Sequence, residues 1–390
     1  MKNVSFALSL ALLAPFAASA EGVSAADVKA AAPCEERAAV RGDALALDLF
    51  RELVAERSGN MIFSPRSLEA VLGLLEQGAQ GEALELLKGL PGGDLKVASA
   101  MKVQSADALF VAEDLKLRRA FDDVRPVPFA TNPAEAVSLI NAWCAEQTRQ
   151  LIPSLVDASS VTKSTRMVAA NAIYLEERWL HPFPAEQTAP LVFTLSDGSS
   201  VRVPMMNTTA SFAYAQGDDW AAVALPYREQ QPGEPGCMVA VLPRGPLADF
   251  VAGLSPDKWE GIRAALAAAP LREVSVVMPT FELCTPVQSL RAAMERRGMS
   301  LLFDGADWSG FTAEPLVLSD VLQRCYVKVD EQGTKAAAVT GAMMNRMSIG
   351  PRPQTIWFNR PFMWVITDLT SPAAPYFMGV VERPEAPQKR

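Results

Sequence analysis

Apolar residues recur along this chain with two spacings, one typical of helices and one typical of strands. Helical spacing is clearest after Ser64, a favourable N-cap residue that is followed by Pro65 at the first helical position. The apolar face of that helix then comprises Leu68, Val71, Leu72 and Leu75. The same spacing predicts further helices at 44–57, 82–87, 134–151 and 286–298.

Strand patterns occupy much of the remaining chain. They predict strands at 107–112, 167–175, 201–206, 221–225, 238–242, 274–278 and 326–330. The run from Met167 to Leu175 is mostly apolar, as expected of a strand that is buried on both faces. The second half of the chain is therefore predicted to be rich in β-structure.

One segment, residues 331–362, combines the features of a strand and a loop. It begins with a turn signal, Gln332-Gly333, and continues with small residues from Thr334 to Ala342. Alternate positions carry small uncharged side chains that a sheet could bury: Thr334, Ala336, Ala338, Thr340 and Ala342. Beyond them the composition becomes that of an exposed loop, with Gly350, Pro351 and Pro353. This pattern predicts a segment that can be a loop in one state and a strand in another.

The amino-acid composition is that of an ordinary soluble globular protein. Of the 390 residues, 49% are hydrophobic and 21% are charged. The formal net charge of −8 argues against nucleic acid or an anionic membrane surface as partner. No linker or composition break divides residues 43–390, so we expect a single domain that acts as a monomer.

The N-terminus has the three parts of a secretory signal peptide. Lys2 precedes an apolar run from Val4 to Ala18, and small residues lead to an expected cleavage after Ala20. The apolar run is too short for a lasting membrane span. Residues 21–42 are expected to form a loose tail or a fraying helix. The mature protein is thus predicted to be periplasmic or secreted.

Candidate catalytic and metal-binding residues are few. The five cysteines, Cys34, Cys144, Cys237, Cys284 and Cys325, lack metal-site spacing, and most are expected to be buried free thiols. His181 is the single histidine and lies in a proline-containing stretch that indicates a loop. No hydrolase or phosphate-binding motif occurs. The sequence predicts no enzyme activity, no metal and no cofactor, and an exported hydrolase is disfavoured.

Several motifs, in order, resemble the serpin family of protease inhibitors. The segment EQGTKAAAVTG at 331–341 resembles the hinge of the serpin reactive-centre loop. NRPF at 359–362 and FMGVVERP at 377–384 resemble the closing strands of that family. The array around Asn60 and Ser64, and the strand that carries Asn171 and leads to Trp179, resemble two further serpin motifs. Together the matches extend from about residue 44 to residue 384.

The resemblance implies an α+β fold and a set of functional residues. The fold would contain a large central sheet, a second sheet or barrel, eight or nine helices and an exposed loop at about 331–358. The implied hinge residues are Glu331, Gly333, Thr334, Ala336, Ala337, Ala338 and Thr340. The implied sheet-opening residues are Ser64, Ser67, Asn171, Gln323 and Trp179. Gln323 stands where the family usually has a histidine that partners the Asn171 position, and glutamine can bond an amide but cannot titrate.

The family pattern also implies which bond a protease would attack. Counting from the first hinge glutamate, Glu331, places the reactive bond at Met347–Ser348. Arg346–Met347 remains the alternative, because the downstream loop is longer than the common pattern. Met347 would suit elastase-, chymotrypsin- or subtilisin-like enzymes, and Arg346 would suit a trypsin-like enzyme.

Two functions follow from the resemblance. The first is suicide inhibition of serine proteases, with cysteine proteases as a further target class. In that mechanism the cleaved loop enters the central sheet while the protease is bound to it as an acyl-enzyme. The alternative is a non-inhibitory relative that acts as a binding protein or chaperone. Large, charged or proline residues on the inward hinge face would favour the alternative, and the sequence has none there.

Overall fold

Two β-sheets and a set of surrounding helices form the described part of this chain. The structure is a computed structural model that describes residues 34–90, 101, 103–228, 236–334, 353–369 and 374–387, with side chains from residue 44 onward. Within these ranges there are seven α-helices, two 3₁₀ turns and one π-helical turn. From the sequence, eight or nine helices are expected for the whole fold. The architecture is α+β, as predicted.

The bounds of the elements are as follows. The helices are α1 Cys34–Ala55, α2 Pro65–Glu76, α3 Gly81–Gly89, α4 Pro133–Gln147, α5 Leu247–Ala252, α6 Pro256–Ala268 and α7 Arg291–Met294. The first nine strands are β1 Met61–Phe63, β2 Val103–Ala112, β3 Val124–Val127, β4 Met167–Leu175, β5 Glu177–Arg178, β6 Ala189–Thr194, β7 Ser200–Gln216, β8 Trp220–Pro226 and β9 Gly236–Pro243. The others are β10 Arg272–Pro279, β11 Phe281–Cys284, β12 Gln288–Ser289, β13 Leu318–Asp330, β14 Gly333–Thr334, β15 Gln354–Trp357, β16 Phe362–Asp368 and β17 Phe377–Val381.

The central sheet is built around the pairing of β4 with β13. Its strand order is β3-β2-β4-β13-β14-β5, and β11 and β12 pair with the other edge of β13. All nine residues of β4 are buried, which confirms the prediction of a strand covered on both faces. β4 runs antiparallel to β2 but parallel to β13, from which about 140 residues separate it in the chain.

The second sheet lies against one face of the central sheet. Its strand order is β1-β17-β16-β9-β8-β7-β10-β15, with β6 on β7. An apolar cluster joins the two sheets and includes Ile173 and Val327 from one sheet and Trp364 from the other. A second cluster joins the central sheet to α1, α2 and α4, with Phe50, Leu75 and Ile140 among its members. The central sheet is therefore covered by apolar side chains over most of its area.

The helix prediction was correct for α2, and the predictions at 82–87 and 134–151 correspond to α3 and α4, with ends that differ by one to four residues. Ser64 caps α2 by accepting a hydrogen bond from the Ser67 N–H, and Pro65 is the first helical residue. Helix α1 begins ten residues before the predicted stripe, at Cys34. The predicted helix at 286–298 begins later, at Arg291, as α7 followed by the π-helical turn Glu295–Met299. Gln288 and Ser289 form β12 instead, because they pair with β13 and tertiary pairing overrides local propensity. No described helix is long and apolar enough to cross a membrane.

A close approach at Gly379 generates the first prediction. A β-carbon at Gly379 would lie 2.4 Å from the Trp364 ring and 2.8 Å from the Met61 carbonyl oxygen, whereas one at Gly73 would meet nothing within 4 Å. Gly379→Ala should therefore lower the thermal midpoint of the uncut protein by several degrees, since overpacking typically costs ~1–3 kcal/mol. Gly73→Ala in the interior of α2 should raise it slightly, by ~0.5–1 kcal/mol of stability. Equal midpoints for the two variants would contradict the packing around Trp364.

Candidate functional site

The first residues of the predicted hinge lie in the central sheet, just beyond the C-terminal end of the β4–β13 pairing, which is called its upper end below. The two strands stay paired up to Tyr174 and Tyr326. Beyond that point β14, which is Gly333–Thr334, lies between β13 and β5 and runs antiparallel to both. The beginning of the predicted loop is thus a strand of the central sheet.

Gly333 permits this insertion because its neighbours approach very closely. A β-carbon there would lie 2.1 Å from the Glu177 carbonyl oxygen and 2.6 Å from the Arg178 Cα. The φ angle of +156° is also one that residues with side chains rarely adopt. Only glycine fits at this position without displacing the backbone of β5.

Thr334 is fully buried and has a side-chain partner that the sequence did not reveal. Its Oγ1 lies 2.9 Å from the Tyr227 hydroxyl. The Tyr227 ring stacks on Trp179 with 4.8 Å between ring centroids and 7° between planes. Burial raises the pKa of Tyr227 above its usual value, so the phenol stays protonated and can hydrogen-bond to Thr334.

Trp179 and the residues after it hold the turn that leads into β14. The Trp179 Nε1 donates to the Asp330 carbonyl at 2.9 Å, and its backbone N–H donates to the Gln332 carbonyl at 3.0 Å. Glu331 receives a backbone hydrogen bond from Phe183 at 2.8 Å and a side-chain hydrogen bond from Thr188 at 2.7 Å. The structure therefore places Glu331, Gly333, Thr334 and Trp179 in one polar and aromatic cluster.

A second cluster lies halfway along β13, where α2 begins beneath the sheet. The Gln323 Oε1 accepts from the Ser64 N–H at 2.9 Å, and the Gln323 Nε2 donates to the Ser64 carbonyl at 3.0 Å. The Ser64 Oγ donates to the Tyr376 carbonyl at 2.7 Å. One side chain of β13 thus binds both backbone groups of the residue that caps α2.

Glutamine is able to bond an amide, but Gln323 does not bond the amide of Asn171 in the structure. The two residues are register partners across β13 and β4, but Gln323 is committed to Ser64. The Asn171 Nδ2 donates instead to the Ser105 Oγ at 3.1 Å and to the Asp107 Oδ1.

These residues belong to a polar row that crosses four strands of an otherwise apolar sheet. Gln288 is paired with Gln323, Gln323 with Asn171, and Asn171 with Asp107, so the row runs from β12 to β2. Register partners project to the same face of a sheet. Sequence reasoning missed Gln288 and Asp107, because polar residues in short strand-like runs carry no signal until the register is known.

On the opposite face, Arg324 connects β13 to the segment that follows α4. Its Nη1 lies 2.8 Å from the Ser154 Oγ and also binds the Ser154 carbonyl, and its Nε donates to the Thr285 carbonyl at 2.9 Å. Adjacent residues of a strand project to opposite faces, so Gln323 and Arg324 hold β13 from below and from above.

Other predicted site residues lie outside the described part of the chain. These are Ala336, Ala337, Ala338, Thr340, Arg346, Met347 and Ser348. The structure does describe the far end of the predicted loop, where β15 pairs parallel with β10 in the second sheet. The segment between Thr334 and Pro353 therefore joins the two sheets.

Most of the described cysteines are buried, and His181 packs against an aromatic ring. Cys144, Cys237 and Cys325 are buried free thiols and Cys284 is partly exposed. Burial raises the pKa of Cys144 and of Cys237 to about 12, so both stay protonated and unreactive. His181 contacts the Phe212 ring edge-on at 5.5 Å. Within the described ranges, no group of three or more His, Cys, Asp or Glu side chains could hold a metal ion.

Comparisons with known proteins agree with the motifs. A family model described as Serpin (serine protease inhibitor) matches residues 41–384. An uncharacterized serpin-like protein of Thermococcus kodakarensis is 31% identical over 369 residues, which cover 87% of this chain and 84% of the relative. Plasminogen activator inhibitor 1 of Neovison vison is 29% identical over 392 residues, covering 90% and 94%. The crystal structure of native protease nexin-1 with heparin superposes with a TM-score of 0.76 at 25% identity, covering 90% and 100%.

The contact of Gly333 with β5 generates the second prediction. In Gly333→Ala the new methyl group would overlap the Glu177 carbonyl, so β14 should leave the sheet and Thr334 should lose its bond to Tyr227. Hydrogen exchange at the amides of residues 333–334 should accelerate at least about tenfold, as for a segment that has lost its local stability. Gly245→Ala, where a β-carbon meets nothing within 4 Å, serves as the control. Unchanged protection in Gly333→Ala would rule out the described position of β14.

Proposed function

The chain belongs to the serpin family, whose members are generally protease inhibitors, and we propose that it inhibits serine endopeptidases by inserting its cleaved loop into the central sheet. The observation that carries this proposal is the position of β14. Its two residues form the beginning of a strand between β4 and β13, in the register that a longer inserted strand would extend.

That register predicts where each hinge residue would lie after insertion. Thr334 pairs with Val329 on one side and with Glu177 on the other. Six residues further along an antiparallel strand, Thr340 would lie opposite Gln323 on β13 and opposite Asn171 on β4. Gln323 and Asn171 are already register partners of each other, so the pairings on the two sides of β14 predict the same position for Thr340.

The side chains that would meet are chemically matched. Residues with the parity of Thr334 would project to the face that carries Gln323. Ala336 would then lie between Val327 and Leu175, and Ala338 between Cys325 and Ile173, all four of which are buried. Small side chains suit these crowded apolar positions, and the polar Thr340 would enter the polar row.

Insertion would also improve the pairing of the strands. The closed sheet joins β4 to β13 by parallel pairing, which is slightly less stable per residue than antiparallel pairing. An inserted strand would replace that one parallel interface with two antiparallel interfaces. The uncut loop, whose far end is fixed in the second sheet by β15, cannot extend fully between β4 and β13. Cleavage would remove that restraint.

Trapping follows from the timing of the two reactions. The protease serine attacks the reactive bond, and the carbonyl carbon of the cut residue becomes an ester on that serine. The nitrogen of the next residue leaves as a free amine, and the C-terminal fragment that carries it stays in the second sheet through β15, β16 and β17. Hydrolysis of the ester needs the catalytic groups in place. Insertion would pull the ester away from them, and a misplacement of ~1 Å already costs ~10²-fold in rate.

The reactive bond and the location of the protein are parts of this proposal. Met347–Ser348 is the expected site of attack, with Arg346–Met347 as the alternative. The features of residues 1–20 support export to the periplasm or beyond. Buried, protonated thiols such as Cys144 and Cys237 suit an oxidising compartment, because they resist oxidation.

The test of this function is a covalent complex with a serine protease. Incubation with elastase-, chymotrypsin-, subtilisin- and trypsin-like enzymes should give, with at least one, a complex that survives denaturing electrophoresis. The mass of the released fragment identifies the bond: a fragment that begins at Ser348 supports Met347, and one that begins at Met347 supports Arg346. Cleavage without any complex would favour the non-inhibitory alternative.

The variant Thr334→Arg tests whether formation of the covalent complex requires the hinge. The variant places a charge at a fully buried position, which costs several kcal/mol if unpaired. Insertion should slow relative to hydrolysis, so the yield of complex should fall at least about tenfold. Lys335→Arg, at the next position, which the period-two pattern of the sequence assigns to the other face of the hinge, should keep the wild-type yield. A full yield from Thr334→Arg would mean that trapping does not depend on this hinge.

The predicted register gives a further test. Cleavage of the loop should raise the thermal midpoint of the wild-type protein, because the inserted form is more stable. Thr340→Val removes a hydroxyl from the polar row and should reduce that rise by several degrees, at ~1–3 kcal/mol for an unpaired buried group. Val339→Thr, one position away on the other face, should reduce it far less. A larger loss in Val339→Thr would show that the register is shifted by one residue.

A further inference from the structure

Asp107 determines which way the Asn171 amide is turned. The carboxylate lies opposite Asn171 on β2, where its Oδ1 accepts from the Asn171 Nδ2 and its Oδ2 accepts from the Ser105 hydroxyl at 2.8 Å. An ionised carboxylate can only accept hydrogen bonds. The NH₂ end of the amide must therefore face Asp107, and its carbonyl oxygen faces away from β2.

That carbonyl oxygen has no hydrogen-bond partner among the described residues. Asn171 is almost fully buried, and its Oδ1 is unpaired. Buried polar atoms without a partner are uncommon and costly, at ~1–3 kcal/mol. The nearest position in the row, Gln323, is already committed to Ser64. A donor for the Asn171 Oδ1 can therefore come from a strand that enters between β4 and β13.

Asp107 is also reached by solvent. It lines a recess of about 260 Å³ between the sheet, α2 and α4. The charged groups that face it there are Asp123 and Arg125, while α2 contributes Ala70 and Leu74 and α4 contributes Trp143 and Gln147. The Arg125 guanidinium lies 6.0 Å from the centre of the Trp143 ring. A proton can thus reach Asp107 without the sheet opening.

The surroundings of Asp107 place its titration near neutral pH. Burial, with a smaller contribution from the charge of Asp123, raises the pKa of the carboxyl to about 6, against the lowering effect of the hydrogen bonds from Asn171 and Ser105. The change of charge therefore falls where secreted and periplasmic proteins function. Gln323, which replaces the usual titratable residue of β13, cannot supply such a response.

We propose that Asp107 is a positioning residue for loop insertion: its carboxylate holds the Asn171 carbonyl oxygen toward the gap that the loop enters, and protonation of Asp107 releases that orientation and slows insertion. The proposal rests on the proposed function, since it concerns the same sheet opening. It places the pH-sensitive group of this chain on β2, on the other side of the gap from β13.

The direction of the pH effect follows from the hydrogen bonds. When an entering strand donates to the Asn171 Oδ1, the amide becomes more polarised and its Nδ2 binds the carboxylate more strongly. The pKa of Asp107 is then lower in the inserted form than the value of about 6 in the closed form. At a pH between these two pKa values, insertion releases a proton from Asp107, so a rise in pH favours insertion.

The experiment measures insertion directly, without a protease. The uncut full-length protein is mixed with a synthetic peptide of residues 334–347, and the rate of incorporation is followed from about pH 5 to about pH 8. The wild-type rate should rise at least about threefold across this range, with a midpoint near the pKa of Asp107. In Asp107→Asn, which keeps a hydrogen-bond acceptor but cannot titrate, the rate should be independent of pH.

Asp123→Asn is the matched control, because Asp123 lines the same recess whereas the Asn171 Nδ2 bonds Asp107. It should keep the pH dependence and move its midpoint to lower pH. Retention of the wild-type profile by Asp107→Asn, or equal loss in both variants, would overturn the proposal. Should Asp107→Asn fail to fold, Ser105→Ala removes one hydrogen bond to the carboxylate and must move the midpoint to higher pH; an unmoved midpoint overturns it as well.

The outcome of this experiment is independent of inhibition. A wild-type chain that traps no protease would refute the proposed function and leave the peptide profile to be judged on its own. Conversely, a flat wild-type profile alongside normal trapping would refute the role of Asp107 alone.

Discussion

The parallel pairing of β4 with β13 is the interface on which the rest of this structure depends. Between Met167 and Tyr174 it joins β4, which is buried on both faces, to β13, a strand that is distant from it in sequence. The same interface is the place where a further strand begins, because β14 already separates β13 from β5 at its upper end. The sheet is thus closed over most of its length and open at one end, and the described candidates Asn171, Gln323, Gly333 and Thr334 are arranged along that line.

The upper end and the middle of this interface are stabilised by different kinds of contact. At the upper end, aromatic stacking and backbone hydrogen bonds around Trp179 hold the turn in place. At the middle, Gln323 holds the N-terminus of α2 through both of its amide atoms. The aromatic contacts bury large areas without requiring one exact geometry, whereas paired amide bonds are lost together when the strand moves. The middle of β13 therefore tolerates less displacement than the end at Trp179.

The sequence predicted elements whose signals are local and failed where partners are distant. The apolar run at Met167–Leu175 and the Ser64-Pro65 start of α2 each determine their own structure, so both predictions were confirmed. The partner of Gln323 lies 259 residues away, and only the register of the folded sheet reveals it. The importance of Asp107 depends in the same way on its place opposite Asn171. Hinge motifs could be found because they are contiguous in sequence, but Tyr227, Gln288 and Asp107 could not, because only the folded sheet places them beside Thr334 or in the polar row.

The contacts of Arg324 have a consequence for the height of the barrier that keeps the sheet closed. Its guanidinium binds Ser154 above the sheet and Thr285 beside β13, while the adjacent Gln323 binds Ser64 below the sheet. Separation of β13 from β4 would disturb both sets of bonds at once, rather than one after the other. Events in which many bonds break together have a large activation enthalpy and a steep dependence on temperature. The closed form would then persist for long periods at moderate temperature and convert abruptly on modest warming, a property set by the two faces of a single strand.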